Sequence, residues 1–469
     1  MQIAASTIEH LKDAVGGGGF SQDQSEIAPH LVEWRGRYHG RTPLLLKPRT
    51  TREISAVLSI CNETRTPIVP QGGNTGLVGG QIPLEGEILL SLERMTCIRS
   101  LDARELSAIV DAGVVLAHVQ RAADDAGAYF PLSLAAEGSA TVGGNVSTNA
   151  GGVNVLRYGS ARQLVLGLEV VLADGRILDL LRTLHKDNTG YDLKQLFIGA
   201  EGTLGVIAAA ALRLFPKPRG RETALIAVPD PSAALELLRR LADATGGLVS
   251  AFELIPRIGI ELVRAHVPQT ADPLGSPSPW YVLAEISGGA ISQKQIFEHA
   301  VSAAIDSGVA TDATLASSET QRAALWRLRE SLSEAQKREG ASLKHDVSVP
   351  IHSIPEFLSR ACSAVNAVVP GVRPVPFGHL GDGNIHFNFS APKSGDDAAF
   401  LARRDDVSRV VHNLVHEFGG SISAEHGLGI AKCDEIERYK SAAELDIMRA
   451  LKRTLDPNNI LNPGKVIRV

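Results

Sequence analysis

An α+β fold is what the sequence predicts, and three observations carry that expectation. Short β-rich runs bounded by turn residues alternate with stretches whose apolar residues recur at helical spacing. Glycine, 45 residues in all, clusters between Gly72 and Gly205 in QGGNTGLVGG, TVGGNVSTNAGG and GAEGTLG. The chain has 469 residues, which at about 150 per domain suggests two or three domains and ample material for a core.

The elements follow in order. TPIVP at 66–70, EILLSL at 87–92, SAIVDAGVV at 107–115 and LVLGLEVVLADGRILDL at 164–180 read as strands, the last folding back at Asp174-Gly175. Between them TREISAVLSICNETR and LAHVQRAADDAG read as amphipathic helices. PKPRG at 216–220 breaks the pattern, and TALIAVPDPSAALELLRRLADATGG opens a new strand and helix. WYVLAEISG (280–288) and IHFNFS (385–390) then alternate with helices near 291–307, 318–338 and 399–418. The expected division is a first domain over 1–220, a second over 221–455, and a segment 456–469 in which Pro457 and Pro463 forbid a continuous helix.

Composition narrows the function. With 44% hydrophobic and 21% charged residues the chain is neither disordered nor fibrous. A net charge of −5 argues against a nucleic-acid partner, which needs a basic surface. Cys61, Cys97, Cys362 and Cys433 form no paired motif, so no disulfide framework or cysteine zinc site is expected. No run of about 18 apolar residues predicts a membrane span, and Glu9 and Asp13 interrupt what a signal peptide would need. A cytoplasmic protein acting on small molecules is the expectation.

Several glycine loops in one region let main-chain N–H groups approach an anion, so a phosphate-bearing cofactor is expected. Pro70, Gly72, Gly73, Asn74, Thr75 and Gly76 follow a strand directly, but they match neither the P-loop nor the dinucleotide fingerprint, and such a loop alone is a turn more often than a ligand site. Taken with GSATVGGNVSTNAGGVNVLRYGS (138–160) and GYDLKQLFIGAEGTLGVI (190–207), the set resembles the FAD-binding domain of the vanillyl-alcohol oxidase/PCMH flavoprotein superfamily. That resemblance implies FAD held by two α+β subdomains, its pyrophosphate cradled by Gly72 to Gly76 and by the stretch containing Gly143, Gly144 and Gly152. It also implies contacts from Pro131, Ser139, Asn145, Thr148, Gly151, Glu201, Gly202 and Ile207. Gly72 to Gly76 offer no His or Cys, so the FAD is expected to be non-covalent.

FGHLGDGNIHFN is the segment richest in chemistry. Its tight turn can bring His379 and His386 together, and His386 and Asn388 share one face of a strand. SAEHGLG adds Glu425 and His426. Two imidazoles and a carboxylate suit Zn first, with Mn, Co or Fe as alternatives, so His379, His386 and Glu425 are the expected metal ligands. Hydrogen-bonded structural histidines are the other reading of the same residues. FGHLGDGNIHFN, SAEHGLG and LDPNNILNPGK together resemble the C-terminal domain of FAD-linked D-2-hydroxy-acid dehydrogenases, which implies the ligand set and places Asn462 near the flavin.

A 2-hydroxy acid carries charge that needs a counter-charge. LWRLRESLSEAQKREGASLKHD offers Arg329 and Ser333 one helical turn apart, then Lys344, although a solvated charged helix would look the same. The stretch resembles most that of the D-2-hydroxyglutarate dehydrogenases within the family, which implies substrate contacts from Arg329, Ser333, Lys344, Asn388 and His426, with Ser333 standing where Thr is usual. His426 is the expected base for the hydroxyl proton while the C2 hydride passes to FAD. D-Lactate, D-malate or glycolate oxidation is the alternative within the family, and a non-catalytic flavin subunit of a larger complex is the alternative outside it. The absence of Fe–S and nicotinamide motifs leaves an electron-transfer flavoprotein or a quinone as acceptor. A homodimer is expected by family analogy.

Overall fold

The computed structural model describes residues 3–288 and 291–469. The chain divides into two compact units, each described separately below. The first comprises residues up to Gly152, Gly159–Lys217 and Glu425–Val469; the second comprises Val153–Tyr158 and Pro218–Ala424.

In the first unit, Phe20–Ser21, Leu45–Leu46, Ile88–Ser91 and Ile68–Gln71 form a four-stranded sheet in that order, with Ile68–Gln71 at its edge. Ile68–Gln71 and Leu45–Leu46 both run parallel to Ile88–Ser91. Strands buried on both faces read as continuous apolar runs, and Ile27, Leu45, Val69 and Leu89 form their core. The helix Thr51–Thr64 buries Ile54, Val57, Leu58 and Cys61, and its start is fixed by the Thr50 side chain accepting the Glu53 N–H. A five-stranded antiparallel sheet follows in the order Ile98–Asp102, Ser107–Asp111, Val206–Arg213, Val165–Val171, Ile177–Leu180. The hairpin between its last two strands turns at Gly175, whose φ of 84° suits glycine.

The second unit is built on an eight-stranded antiparallel sheet. Its order is Asp312–Leu315, Gly220–Val228, Trp280–Gly288, Val249–Pro256, Arg373–His379, Asn384–Ser390, Ser342–Leu343, with Asp346–Ser348 also paired to Asn384–Ser390. The helix Pro231–Thr245 starts at Asp230, whose side chain accepts the Ala233 N–H, and stops at left-handed Gly246. The core gathers Leu225, Ile255, Tyr281, Leu283, Trp326, Leu328 and Phe377.

The segment 425–455, which the expected division groups with 221–424, clusters with the first unit. The Val78 carbonyl accepts the N–H groups of Ile430 and Ala431, and buried Lys452 donates to the Thr203 and Leu461 carbonyls and to Asp456. The single helix expected over 318–338 is two helices, Glu319–Glu330 and Leu332–Glu339, meeting at Ser331. The tail is laid on the first unit as a turn-rich segment: Ile68 donates to the Ile460 carbonyl, Asn462 donates to that of Ile68, and Leu461 pairs parallel with Ile68. Among the described residues no helix is long and apolar enough to cross a membrane.

Candidate active site

In the first unit the strand Ile68–Gln71 runs into the loop 72–76, which faces the short helix Val142–Ser147 and the turn before Val206–Arg213. These segments line a cavity of about 280 Å³. Of the residues expected to hold cofactor, Pro70, Gly72, Gly73, Asn74, Thr75, Gly76, Gly143, Gly144, Asn145, Thr148, Gly151, Glu201, Gly202 and Ile207 line it. Pro131, Ser139, Gly152 and Asn462 are not on its wall. Asn462 supports the wall instead, donating from Nδ2 to the Gly80 and Glu201 carbonyls at 2.8 Å each. Gln71, Val78, Thr141 and Ser147, inside the glycine-rich segments but not singled out there, also line the cavity, as does Gln81 just beyond the first segment.

Glycine lets the loop 72–76 pack directly against residues 139–144 on the cavity wall. A Cβ on Gly72 would sit 2.3 Å from Thr141 Oγ1, and one on Gly73 would sit 1.9 Å from the Ser139 carbonyl oxygen. Thr141 Oγ1 and Asn145 Nδ2 are buried on this wall with no hydrogen-bond partner among the described residues. Buried polar atoms are rarely left unpaired, so a polar ligand is what completes them. A dinucleotide with its phosphates against N–H-rich loops meets that requirement.

Glu201 organises the far wall. It adopts a left-handed φ of 50°, and its carboxylate accepts the N–H groups of Leu428 at 2.6 Å and Gly429 at 2.9 Å. Burial pushes its carboxyl up to about 7, against the opposing pull of those two N–H groups and of Lys432. A Cβ on Gly427 would come within 2.6 Å of Glu201 Oε1, so glycine is needed for this contact. The clamp holds SAEHGLG so that half-buried Glu425 and His426 line the same cavity.

In the second unit, His379 ends the strand Arg373–His379 and His386 lies in Asn384–Ser390, joined by a turn through Gly383 at φ 87°. Their ring centroids are 5.4 Å apart. Each imidazole turns its Nδ1 toward a carboxylate one strand away. His379 Nδ1 donates to Glu253 Oε1 at 2.5 Å, while His386 Nδ1 stands 3.6 Å from Asp346 Oδ1. A carboxylate behind Nδ1 favours the tautomer whose Nε2 carries the lone pair, the arrangement of a metal-ligating histidine. The chain leaves this unit at Ala424, whose N–H donates to the Asp346 carbonyl at 3.3 Å, and Glu425 follows directly.

The substrate residues predicted from sequence fare differently. Arg329 is 8% exposed, donates from Nε to Glu253 Oε2 at 2.6 Å, and holds its guanidinium carbon 4.8 Å from the Phe377 ring centre. Lys344 Nζ reaches the Ser333 carbonyl at 3.4 Å, while the Ser333 side chain is exposed on the next helix rather than sharing a helix with Arg329. Asn388 is buried with its amide committed to structure: Nδ2 donates to Gln336 Oε1 at 3.0 Å and Oδ1 accepts the His345 N–H at 3.3 Å. Glu253, the carboxylate between His379 and Arg329, was not anticipated; an acidic residue inside the apolar run SAFELIP was the available signal.

Comparison with known proteins gives the class, an FAD-dependent oxidoreductase, and its family. Residues 42–181 match the FAD binding domain and residues 217–466 match the C-terminal domain of FAD linked oxidases. The chain belongs to this family of FAD-dependent oxidoreductases. It is 40% identical, over 99% of its length and 82% of the relative's, to a probable mitochondrial D-2-hydroxyglutarate dehydrogenase of Oryza sativa subsp. indica. It is 41% identical to the mitochondrial D-2-hydroxyglutarate dehydrogenase of Bos taurus, over 95% of this chain and 80% of that one. A D-2-hydroxyglutarate dehydrogenase of Xanthomonas citri pv. viticola is 36% identical over 97% of this chain and 96% of its own. Among solved structures, p-cresol methylhydroxylase shares the fold at a TM-score of 0.76 and 16% identity, covering 99% of this chain and 96% of that one. The α+β, PCMH-type architecture is therefore the one expected.

Proposed function

We propose that this chain oxidises D-2-hydroxyglutarate to 2-oxoglutarate with FAD and a divalent metal. The observation that carries the reading is Arg329, buried beside His379 on the shared carboxylate of Glu253, because a buried arginine next to a metal-suited imidazole serves a charged hydroxy acid. The names of the relatives support the same substrate.

The glycine loops of the first unit hold FAD, which when bound supplies the two-electron acceptor for the hydride leaving C2. His379, His386 and Glu425 hold a divalent cation, Zn in the first instance, whose Lewis acidity makes the hydroxyl more acidic. His426 takes the hydroxyl proton at a ring nitrogen. Arg329 and Lys344 bind and orient the carboxylates, and two cations suit a dicarboxylate better than D-lactate. Asn388 is left out of the substrate contacts, because its amide positions the Gln336 side chain and the His345 backbone. We assign electron-transfer flavoprotein or quinone as acceptor, and a cytoplasmic homodimer as the working form, on the sequence reading alone.

Dye reduction tests the whole scheme. The purified yellow protein should reduce dye faster with D-2-hydroxyglutarate than with D-malate or D-lactate, lose turnover in EDTA while staying yellow, and recover it with Zn or Mn. Preference for D-lactate would refute the roles given to Arg329 and Lys344, and indifference to EDTA would remove the metal.

A further inference from the structure

Glu253 lies at the middle of the strand Val249–Pro256, where every residue is buried, and its side chain is 1% exposed. Strand pairing sets it opposite His379 in register. Its two oxygens go to two different partners: Oε1 accepts from His379 Nδ1 at 2.5 Å and Oε2 accepts from Arg329 Nε at 2.6 Å. Arg329 arrives from the last turn of Glu319–Glu330, and Phe377, two residues before His379, lies against its guanidinium. Imidazole, carboxylate and guanidinium thus form one continuous hydrogen-bonded line.

A buried ion pair of this kind contributes little stability compared with apolar residues of the same volume, so stability is a weak reason for a fully buried carboxylate in a core strand. Positioning is a stronger one. The Oε1 bond fixes the ring orientation and tautomer of His379 with Nε2 as the donor atom. The Oε2 bond holds one edge of the planar guanidinium, and the Phe377 face fixes its plane, so the remaining N–H groups of Arg329 have a set direction. We propose that Glu253 is a positioning residue that ties the metal-binding and carboxylate-binding halves of the site together through its two oxygens. This rests on the function proposed above.

Glutamine in its place has one acceptor oxygen and one NH2 group, so it can satisfy either His379 Nδ1–H or Arg329 Nε–H but must present a donor to the other. Metal affinity and substrate KM should therefore change together in Glu253→Gln. The test uses the FAD-loaded full chain, reading the Zn dissociation constant by competition with a chromogenic chelator, KM in dye assays, and the flavin spectrum. In Glu253→Gln we expect Zn affinity to fall about 10- to 100-fold and KM for D-2-hydroxyglutarate to rise about tenfold or more, with the flavin spectrum retained. A folded, yellow variant in which either quantity stays at its wild-type value overturns the proposal. If the Gln variant does not fold, Glu253→Asp, which keeps two acceptors on a shorter stem, carries the comparison: smaller losses in both quantities support it, and wild-type values overturn it. Wild-type measurements come first and separate the two readings. A wild-type chain that ignores D-2-hydroxyglutarate defeats the assigned substrate, and KM is then read with whichever of D-malate or D-lactate it oxidises.

Discussion

Glu201 and Glu253 are both buried carboxylates, and their surroundings push them in opposite directions. For Glu253 burial is outweighed by the Arg329 guanidinium and His379, which hold it well below the usual carboxylate range. For Glu201 burial dominates, and its carboxyl rises from 4.5 to about 7. Between those pH values folded Glu201 holds a proton that the unfolded chain releases, so stability is greatest at the acid end and falls as pH rises through the window. A shift of that size corresponds to about 3 kcal/mol. Urea unfolding of the flavin-free protein from pH 4.5 to 7.5 should show this fall in the wild type and lose it in Glu201→Gln; parallel slopes would sink the assignment. The sequence flags Glu201 by resemblance and Glu253 by its apolar surroundings, but it reveals the bonding partners of neither. Glu253 meets His379 across 126 residues and Arg329 across 76, and only strand register brings them together.

Among elements, the glycine loops were the most legible, because close backbone approach demands glycine and leaves a compositional mark. Strands and helices with clean periodicity were legible for the same kind of reason: Thr51–Thr64 and Pro231–Thr245 carry their caps in the sequence. The break at Ser331 was not, since neither Gly nor Pro marks it and the apolar spacing runs on through it. Gly73→Ala tests the loop argument directly. Its Cβ would meet the Ser139 carbonyl, a backbone atom that cannot swing aside, so the variant should purify with little flavin absorbance. Gly138→Ala, with nothing within 4 Å of the added carbon, should stay as yellow as the wild type. Equal flavin content in both would show that the 72–76 loop does not cradle the cofactor.

For the molecule as a whole, PKPRG coincides with the crossing at Lys217 and Pro218, while the short excursion at Val153–Tyr158 and the return at Glu425 carry no such mark in the sequence. The return to the first unit at Glu425 depends on non-local bonds, chiefly the Glu201 carboxylate with Leu428 and Gly429, which no local pattern encodes. Ligand linkage gives a global test: FAD at about 100 times its dissociation constant should stabilise the flavin-free protein by about 3 kcal/mol and raise its melting midpoint accordingly. An unchanged midpoint at saturating FAD would refute the cavity assignment. The tail has a consequence for how the chain is made. The strand Ile68–Gln71 lies at a sheet edge, and Ile460 to Asn462 pair with Ile68 just before the loop 72–76. On the ribosome that edge emerges early and waits nearly 400 residues for its partner. Synthesis therefore passes through a stage in which the edge beside the cofactor loops stands unpaired, and a pause before residues 460–462 emerge leaves it open to pairing with other chains.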